Sequence, residues 1–200
     1  MSDTATRLRS RARAFGLAVP PEAEDRLVAY FDLLFRWNVK MNLTGLTDDD
    51  AAVDRLLLEP WAAAAALPHH LDLLDLGSGG GSPAIPLAIA LKVRRLVMVE
   101  SKSRKAAFLR EAARTVGLEA FVECARFESL VGRGDYQGQM SVVSIRGVRI
   151  DRARLTLAAT FLGPTGKVAL FSSSSILPGL PLPVSSLPLP GTAHLLLFGV

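Results

Sequence analysis

Cysteine is nearly missing from this chain of 200 residues. Cys124 stands alone, which excludes a disulfide framework and any multi-cysteine zinc site. Histidine is scarce too: only His69, His70 and His194 occur, two of them adjacent, so a histidine-based metal centre is not expected. No run reaches the roughly 18 uninterrupted apolar residues that a membrane span needs. Arg7, Arg9, Arg11 and Arg13 have no apolar stretch behind them, so the start of the chain does not read as a secretory signal. What is there is 50% apolar and 21% charged, enough for a sizeable core and too apolar for wholesale disorder. The expectation is a soluble cytoplasmic protein, either one large domain or one domain with an appendage.

The net charge of +4 hides a segregation along the chain. Residues 22–59 hold nine acidic and four basic side chains, whereas residues 92–154 hold fourteen basic and seven acidic. A cationic central region points to an anionic partner such as a nucleic acid or a nucleotide. Solvated helix faces would give the same count, so charge alone does not establish that partner.

The first 67 residues read as helical. Pro20-Pro21 followed by Glu22 and Glu24 is a helix start, with proline tolerated and carboxylates favoured in the first turn. Leu27, Tyr30, Phe31, Leu34 and Phe35 then recur at helical spacing. Thr47 and the aspartates at 48–50 can cap a further helix. Beyond Pro68 the period changes. Short Leu- and Val-rich segments at 71–76, 95–100, 121–125, 141–145 and 168–172 alternate with helical patterns at 83–91, 103–116, 127–131 and 149–162. Such alternation implies right-handed crossovers and a doubly wound α/β architecture around a parallel sheet. Residues 1–67 are therefore expected to form a helical extension and 68–200 the sheet domain. From Phe171 onward there is no Asp, Glu, Lys or Arg, and prolines at 181, 183, 188 and 190 confine that stretch to an edge strand or loop before a last strand at 194–200.

The strongest local signal is Leu73-Leu74-Asp75-Leu76-Gly77-Ser78-Gly79-Gly80-Gly81, a strand that ends in an acid and enters a glycine-rich turn. Glycines allow positive φ and close approach of a ligand to the main chain. The helix that follows offers free amides to an anionic group, and this first turn is where doubly wound sheets bind nucleotide-like ligands. Gly77, Gly79 and Gly81 give G-x-G-x-G, and Ser82 stands where a dinucleotide fingerprint needs its third glycine. Asp75 can accept a hydrogen bond from an ammonium group, and Glu100, at the end of the second strand, can hold two ribose hydroxyls. An amino-acid-bearing nucleoside without pyrophosphate suits this set, and S-adenosyl-L-methionine is such a ligand. A nicotinamide-dependent oxidoreductase fits the glycine spacing poorly.

These residues resemble a known family. D-x-G-x-G-x-G followed by Ser82, Pro83, Ile85 and Pro86 looks like the class I methyltransferases, and more narrowly like the small-subunit ribosomal RNA guanine-N7 methyltransferases, or glucose-inhibited division protein B. Trp37-Asn38 with Asn42-Leu43-Thr44, Glu100-Ser101 with Arg104-Lys105 and Phe108-Leu109-Arg110, Ala125-Arg126-Phe127-Glu128, Arg146, and residues 191–198 are similar to further stretches of that family in the same order. The resemblance implies a Rossmann-like, mostly parallel class I methyltransferase sheet with a C-terminal antiparallel strand. It also implies an S-adenosyl-L-methionine-dependent enzyme, a monomer without membrane or metal, acting on 16S rRNA or the small ribosomal subunit. Cofactor contacts would fall on Gly77, Ser82, Phe127, Glu128 and Arg146, beside Asp75, Gly79, Gly81 and Glu100 from the residue reading. Candidate RNA contacts are Arg7, Arg9, Arg11, Arg13, Asn38, Asn42, Arg104, Lys105 and again Arg146. Guanine N7 carries a lone pair and no proton, so transfer needs no obligatory base and can rest on positioning.

The chain departs from the family pattern at Leu56 for a histidine, Ile145 for a serine, Gly147 for an alanine and Phe171 for a lysine. These changes remove polar or basic groups from the side where RNA would lie. They leave open a second reading, a cofactor-binding relative that has lost rRNA methylation or acts on another substrate. Trp37 and Trp61 are expected in the core, Cys124 as a small buried hydrophobe in the third strand, and His69, His70 and His194 at the surface.

Overall fold

The structure is a computed structural model and describes residues 3–199. Val200, the last residue of the predicted final strand, lies outside the described residues, as do residues 1 and 2. Two long helices open the chain, α1 (Asp3–Ala14) and α2 (Pro21–Met41). A continuous helical stretch follows: α3 (Asp50–Val53), a π-turn (Asp54–Leu58), α4 (Glu59–Ala63) and a 3-10 turn (Ala64–Ala66). Asp49 caps α3 by accepting from the Ala52 amide at 2.9 Å, as the aspartate run predicts.

Seven strands follow, the first five separated by helical elements: β1 (Asp72–Leu76), α5 (Ala84–Leu91), β2 (Arg95–Val99), α6 (Ser103–Thr115), β3 (Ala120–Glu123), a 3-10 turn (Phe127–Leu130), β4 (Met140–Arg146), α7 (Arg152–Ala159), β5 (Leu162–Ser172), β6 (Ser185–Pro188) and β7 (His194–Gly199). They form one sheet in the order β3-β2-β1-β4-β5-β7-β6. The first five strands are mutually parallel, and β7 runs antiparallel to both β5 and β6. β1 and β4 are buried along nearly their whole length because helices cover both faces, which is why they read as apolar runs rather than alternating ones. One core cluster joins Leu27, Phe31 and Leu34 of α2 to Leu73, Ile85, Phe108 and Phe171, so the opening helices and one sheet face share a core. The other face packs Leu74, Val143, Leu155 and Phe161.

Three details differ from the sequence expectations. β5 begins at Leu162, six residues early, because a register shift against β4 between Met140 and Val142 lets a longer strand pair. The proline-rich stretch supplies a short edge strand, β6, whose Pro188 sits at its end. Cys124 is exposed rather than buried: β3 is an edge strand that ends at Glu123, one residue before it.

Candidate functional site

The strand order reverses between β1 and β4, and the loops at their carboxyl ends part there to leave a crevice. Residues 77–80 and Ser82 after β1 form its floor, whereas Asp75 and Gly81, expected at the cofactor, do not line it. Gly77 has φ +76°, and a Cβ there would meet the Val148 side chain at 2.6 Å, so only glycine fits. At Gly81 (φ +92°) a Cβ would meet Ile85 at 2.8 Å, which lets the loop sit directly on α5. The Gly77 and Ser78 amides donate to the Val99 carbonyl at 2.9 Å each, which ties the loop to β2.

Glu100 directly follows β2, one residue past the end of the strand that the sequence predicts it to close. It is 8% exposed and accepts from the Gly79 amide at 3.0 Å through one oxygen and from the Lys102 amide at 2.8 Å through the other. Each carboxylate oxygen keeps acceptor capacity beyond those bonds. The crevice has two lobes that share Gly77 and Glu100. One, about 450 Å³, is bounded by Leu43, Thr44, Leu56, Gly79, Ser82 and Arg146. The other, about 310 Å³, is bounded by Val99, Ala125, Phe127, Glu128 and Val148.

Asp75 is 1% exposed. Its Oδ1 accepts from the Ser144 hydroxyl at 2.5 Å, and Oδ2 has no partner among the described residues. Burial pushes the Asp75 carboxyl above its ordinary pKa, with the Ser144 and Ser78 hydroxyls and the charge of Arg146 pulling the other way. A buried carboxylate oxygen without a donor costs free energy unless a ligand donor meets it.

Arg146 ends β4. Its Nη1 donates to the Arg55 carbonyl at 2.7 Å and to Glu59 Oε2 at 3.0 Å, while Nη2 donates to the Ser82 hydroxyl. Ser82 Oγ in turn donates to the Leu56 carbonyl at 2.6 Å, and the guanidinium lies 5.4 Å from the centre of the Phe171 ring. Three of the five guanidinium N–H donors thus have protein acceptors, and the Nε donor and one on Nη2 have none among the described residues. Burial lowers the Arg146 pKa to about 10, so the group stays charged near neutrality.

The opening helices form the far wall. The Tyr30 hydroxyl donates to the Gly80 carbonyl at 2.7 Å. Asn38 Oδ1 accepts from the Leu43 and Thr44 amides at 2.7 and 2.9 Å, so this residue, expected at the RNA, folds the turn that lines the larger lobe. Asn42 is the left-handed C-cap of α2. The arginines of α1 divide sharply. Arg7 pairs with Asp48 at 2.6 Å, Arg9 with Glu24 at 2.7 Å and Arg11 with Asp54 at 2.5 Å, clamping α1 to the rest of the helical layer. Arg13 is exposed and has no ion pair among the described residues.

Arg104 and Lys105 lie elsewhere, at the start of α6. With Lys40, Asn42 and Lys102 they line a groove of about 580 Å³ that contains no carboxylate and adjoins the larger lobe through Lys105. Leu56 lines that lobe, whereas Ile145 and Phe171 are buried in the core. Sequence reasoning missed three contributors: Tyr30, Ser144 and the role of Glu59. The signal for Glu59 was an acid set among Leu56, Leu57, Leu58 and Pro60. Among the described residues no three His, Cys, Asp or Glu side chains gather to hold a metal ion, and no helix is long and apolar enough to cross a membrane.

A parallel sheet of this order with β7 antiparallel, and a glycine loop at the β1/β4 switch, defines a class I methyltransferase fold. Solved structures agree at the level of the fold. A hypothetical protein of Thermus thermophilus matches with a TM-score of 0.53 and 24% identity, over 66% of this chain and 76% of that one. P. horikoshii TYW2 in complex with MeSAdo matches with a TM-score of 0.54 and 14% identity, over 70% of this chain and 60% of that one.

Sequence narrows the class. The family model for GidB, rRNA small subunit methyltransferase G, matches residues 23–175, and the chain belongs to that family. A relative from Rhodospirillum centenum, named ribosomal RNA small subunit methyltransferase G, is 41% identical over 159 residues, 79% of this chain and 69% of the relative. One of the same name from Neisseria gonorrhoeae (strain ATCC 700825 / FA 1090) is 38% identical over 113 residues, 56% of this chain. The match spans 55% of the length of that Neisseria relative.

Proposed function

We propose that this protein is an S-adenosyl-L-methionine-dependent methyltransferase that modifies N7 of a guanine in 16S rRNA, as a cytoplasmic monomer. The observation that carries the cofactor reading is the two-lobed crevice that Gly77 and Glu100 share, with the buried Asp75, whose Oδ2 has no partner among the described residues, two residues before Gly77. The donor and acceptor set fits the group. Asp75, with the loop from Gly77 through Gly79 and Gly81 to Ser82, would hold the amino-acid end. Glu100 would take the ribose hydroxyls, and Phe127 and Glu128 the base. The cofactor, when bound, supplies an electrophilic methyl group on a sulfonium. The residues around the larger lobe then hold the guanine in line and exclude water. No side chain has to remove a proton from N7, so positioning supplies the catalysis.

Support for the RNA partner comes from the groove of Lys40, Lys102, Arg104 and Lys105. These four cations have no ion pair among the described residues, whereas Arg7, Arg9 and Arg11 are paired within the protein. We therefore assign the phosphate contacts to the groove, with Asn42 at its edge and Arg13 as an outlying cation. Arg146 serves both the cofactor and the acceptor side through its two remaining donors. Calorimetry with S-adenosyl-L-methionine, followed by labelled methyl transfer to small subunits lacking the modification and to naked 16S rRNA, tests the reading. Binding with transfer to guanine N7 is expected. Binding without transfer selects the cofactor-binding relative suggested by Leu56, Ile145 and Phe171, and no binding overturns both.

A further inference from the structure

The helical stretch of residues 50–66 is broken by a π-turn at Asp54–Leu58, two residues before Pro60, and Arg55 and Leu56 of this turn line the crevice. Proline has no N–H to give. In α-helical register the donor at position 60 would serve the Leu56 carbonyl, and in π register it would serve the Arg55 carbonyl. The neighbouring Glu59 amide cannot substitute, because it donates to the Asp54 carbonyl. Both acceptors are instead met from across the fold. Ser82 Oγ donates to the Leu56 carbonyl at 2.6 Å, from 26 residues away, and Arg146 Nη1 donates to the Arg55 carbonyl at 2.7 Å, from 91 residues away. Ser82 and Arg146 are bonded to one another and line the larger lobe. Pro60 itself is buried and does not line that lobe.

We propose that Pro60 is a positioning residue of the crevice. By withholding one amide where the π-turn shifts the ladder, it leaves the Leu56 carbonyl to Ser82, next to the Arg55 carbonyl that anchors Arg146, and so sets the wall against which cofactor and acceptor pack. The inference rests on the cofactor reading above for its consequence, and on the bonds just described for its cause. An alanine at 60 restores an N–H beneath the Leu56 carbonyl, which then competes with Ser82.

Pro60→Ala is the test. A proline inside a helical stretch is unfavourable, so the variant is expected to unfold at the same or higher urea concentration than wild type. Its affinity for S-adenosyl-L-methionine is expected to be roughly fivefold weaker, the effect of losing one hydrogen bond. A purely structural role for Pro60 would give the reverse, lower stability with affinity retained. Two measurements without ligand accompany it. The new amide at position 60 should be protected from hydrogen exchange, and Ser82→Ala should change unfolding stability less in the Pro60→Ala background than in wild type. Additive effects at 60 and 82, or wild-type affinity in Pro60→Ala, overturn the proposal. If wild type binds no cofactor, the proposed function fails on its own, and the coupling between positions 60 and 82 still decides whether Pro60 positions Ser82.

Discussion

Arg146 and Glu59 form an ion pair at 3.0 Å with side chains only 7% and 5% exposed. Burial lowers the arginine's pKa and raises the glutamate's, and each charge restrains the shift of the other. A pair buried to this depth contributes little net stability, yet removing one partner leaves the other charge stranded in a poorly solvated place. Glu59→Ala is therefore expected to destabilise the fold by about 3 kcal/mol. The double variant Glu59→Ala/Arg146→Met should recover most of that loss, because no stranded charge remains. Urea unfolding of the four proteins checks this, and a double variant as unstable as the sum of the singles would refute it.

Asp75 gives a pH dependence of definite sign. Its folded-state pKa is raised above the ordinary 3.8, so the folded protein holds this proton more tightly than the unfolded chain does. The stability this confers is complete below 3.8 and is lost as pH rises through the folded value. Asp75→Asn cannot ionise and keeps an oxygen for Ser144. Without ligand, its stability relative to wild type should rise with pH from about 3.8 upward and level off above the folded pKa. The same variant should bind S-adenosyl-L-methionine more weakly. Unfolding curves across pH that stay parallel for the two proteins would sink the argument.

Much of this is legible in the residues alone. Asp75, the G-x-G-x-G run and Glu100 lie within a single β-turn-α-β stretch, where spacing in sequence nearly fixes spacing in space; Gly77, Gly79 and Glu100 line one crevice, whereas Asp75 and Gly81 do not reach its lining. The pairing of the α1 arginines is not legible, because a charge cluster does not reveal its partners. Asp48 and Asp54 lie 41 and 43 residues from Arg7 and Arg11, and only the packing of α1 on the later helices brings them together. Cys124 misleads for a related reason: whether a strand lies at an edge depends on sheet order, which apolar content does not encode. Pro60 is visible as a residue type, but its effect depends on two carbonyls finding donors 26 and 91 residues away.

Phe171 stands where the family resemblance has a lysine, and its ring lies 5.4 Å from the Arg146 guanidinium carbon. A cation over an aromatic face in a desolvated setting contributes about 1–2 kcal/mol. Phe171→Leu keeps an apolar side chain in the core but removes the ring, and a loss of about that size is expected. In an Arg146→Met background the same change should cost less, since no cation remains to lose. Equal losses in both backgrounds would show that the ring acts by filling space alone.

Tyr30 links the opening helices to the chemistry. It is fully buried on α2, and its hydroxyl donates to the Gly80 carbonyl at 2.7 Å. Burial raises the phenol's pKa, so the group remains a protonated donor wherever the protein is folded. Gly80 lines the larger lobe, and its neighbours in the loop are otherwise fastened to β2 through the Val99 carbonyl and Glu100. Tyr30→Phe removes the hydrogen bond by which α2 grips this loop. The orphaned carbonyl should destabilise the protein by about 1 kcal/mol. Because the loop forms the floor of the crevice, affinity for S-adenosyl-L-methionine should fall with it, by a few-fold. A stability loss with unchanged affinity would mean that the sheet and the Ser82–Leu56 bond hold the loop without α2. A fall in both would make residues 1–67 part of the cofactor site rather than an appendage to it.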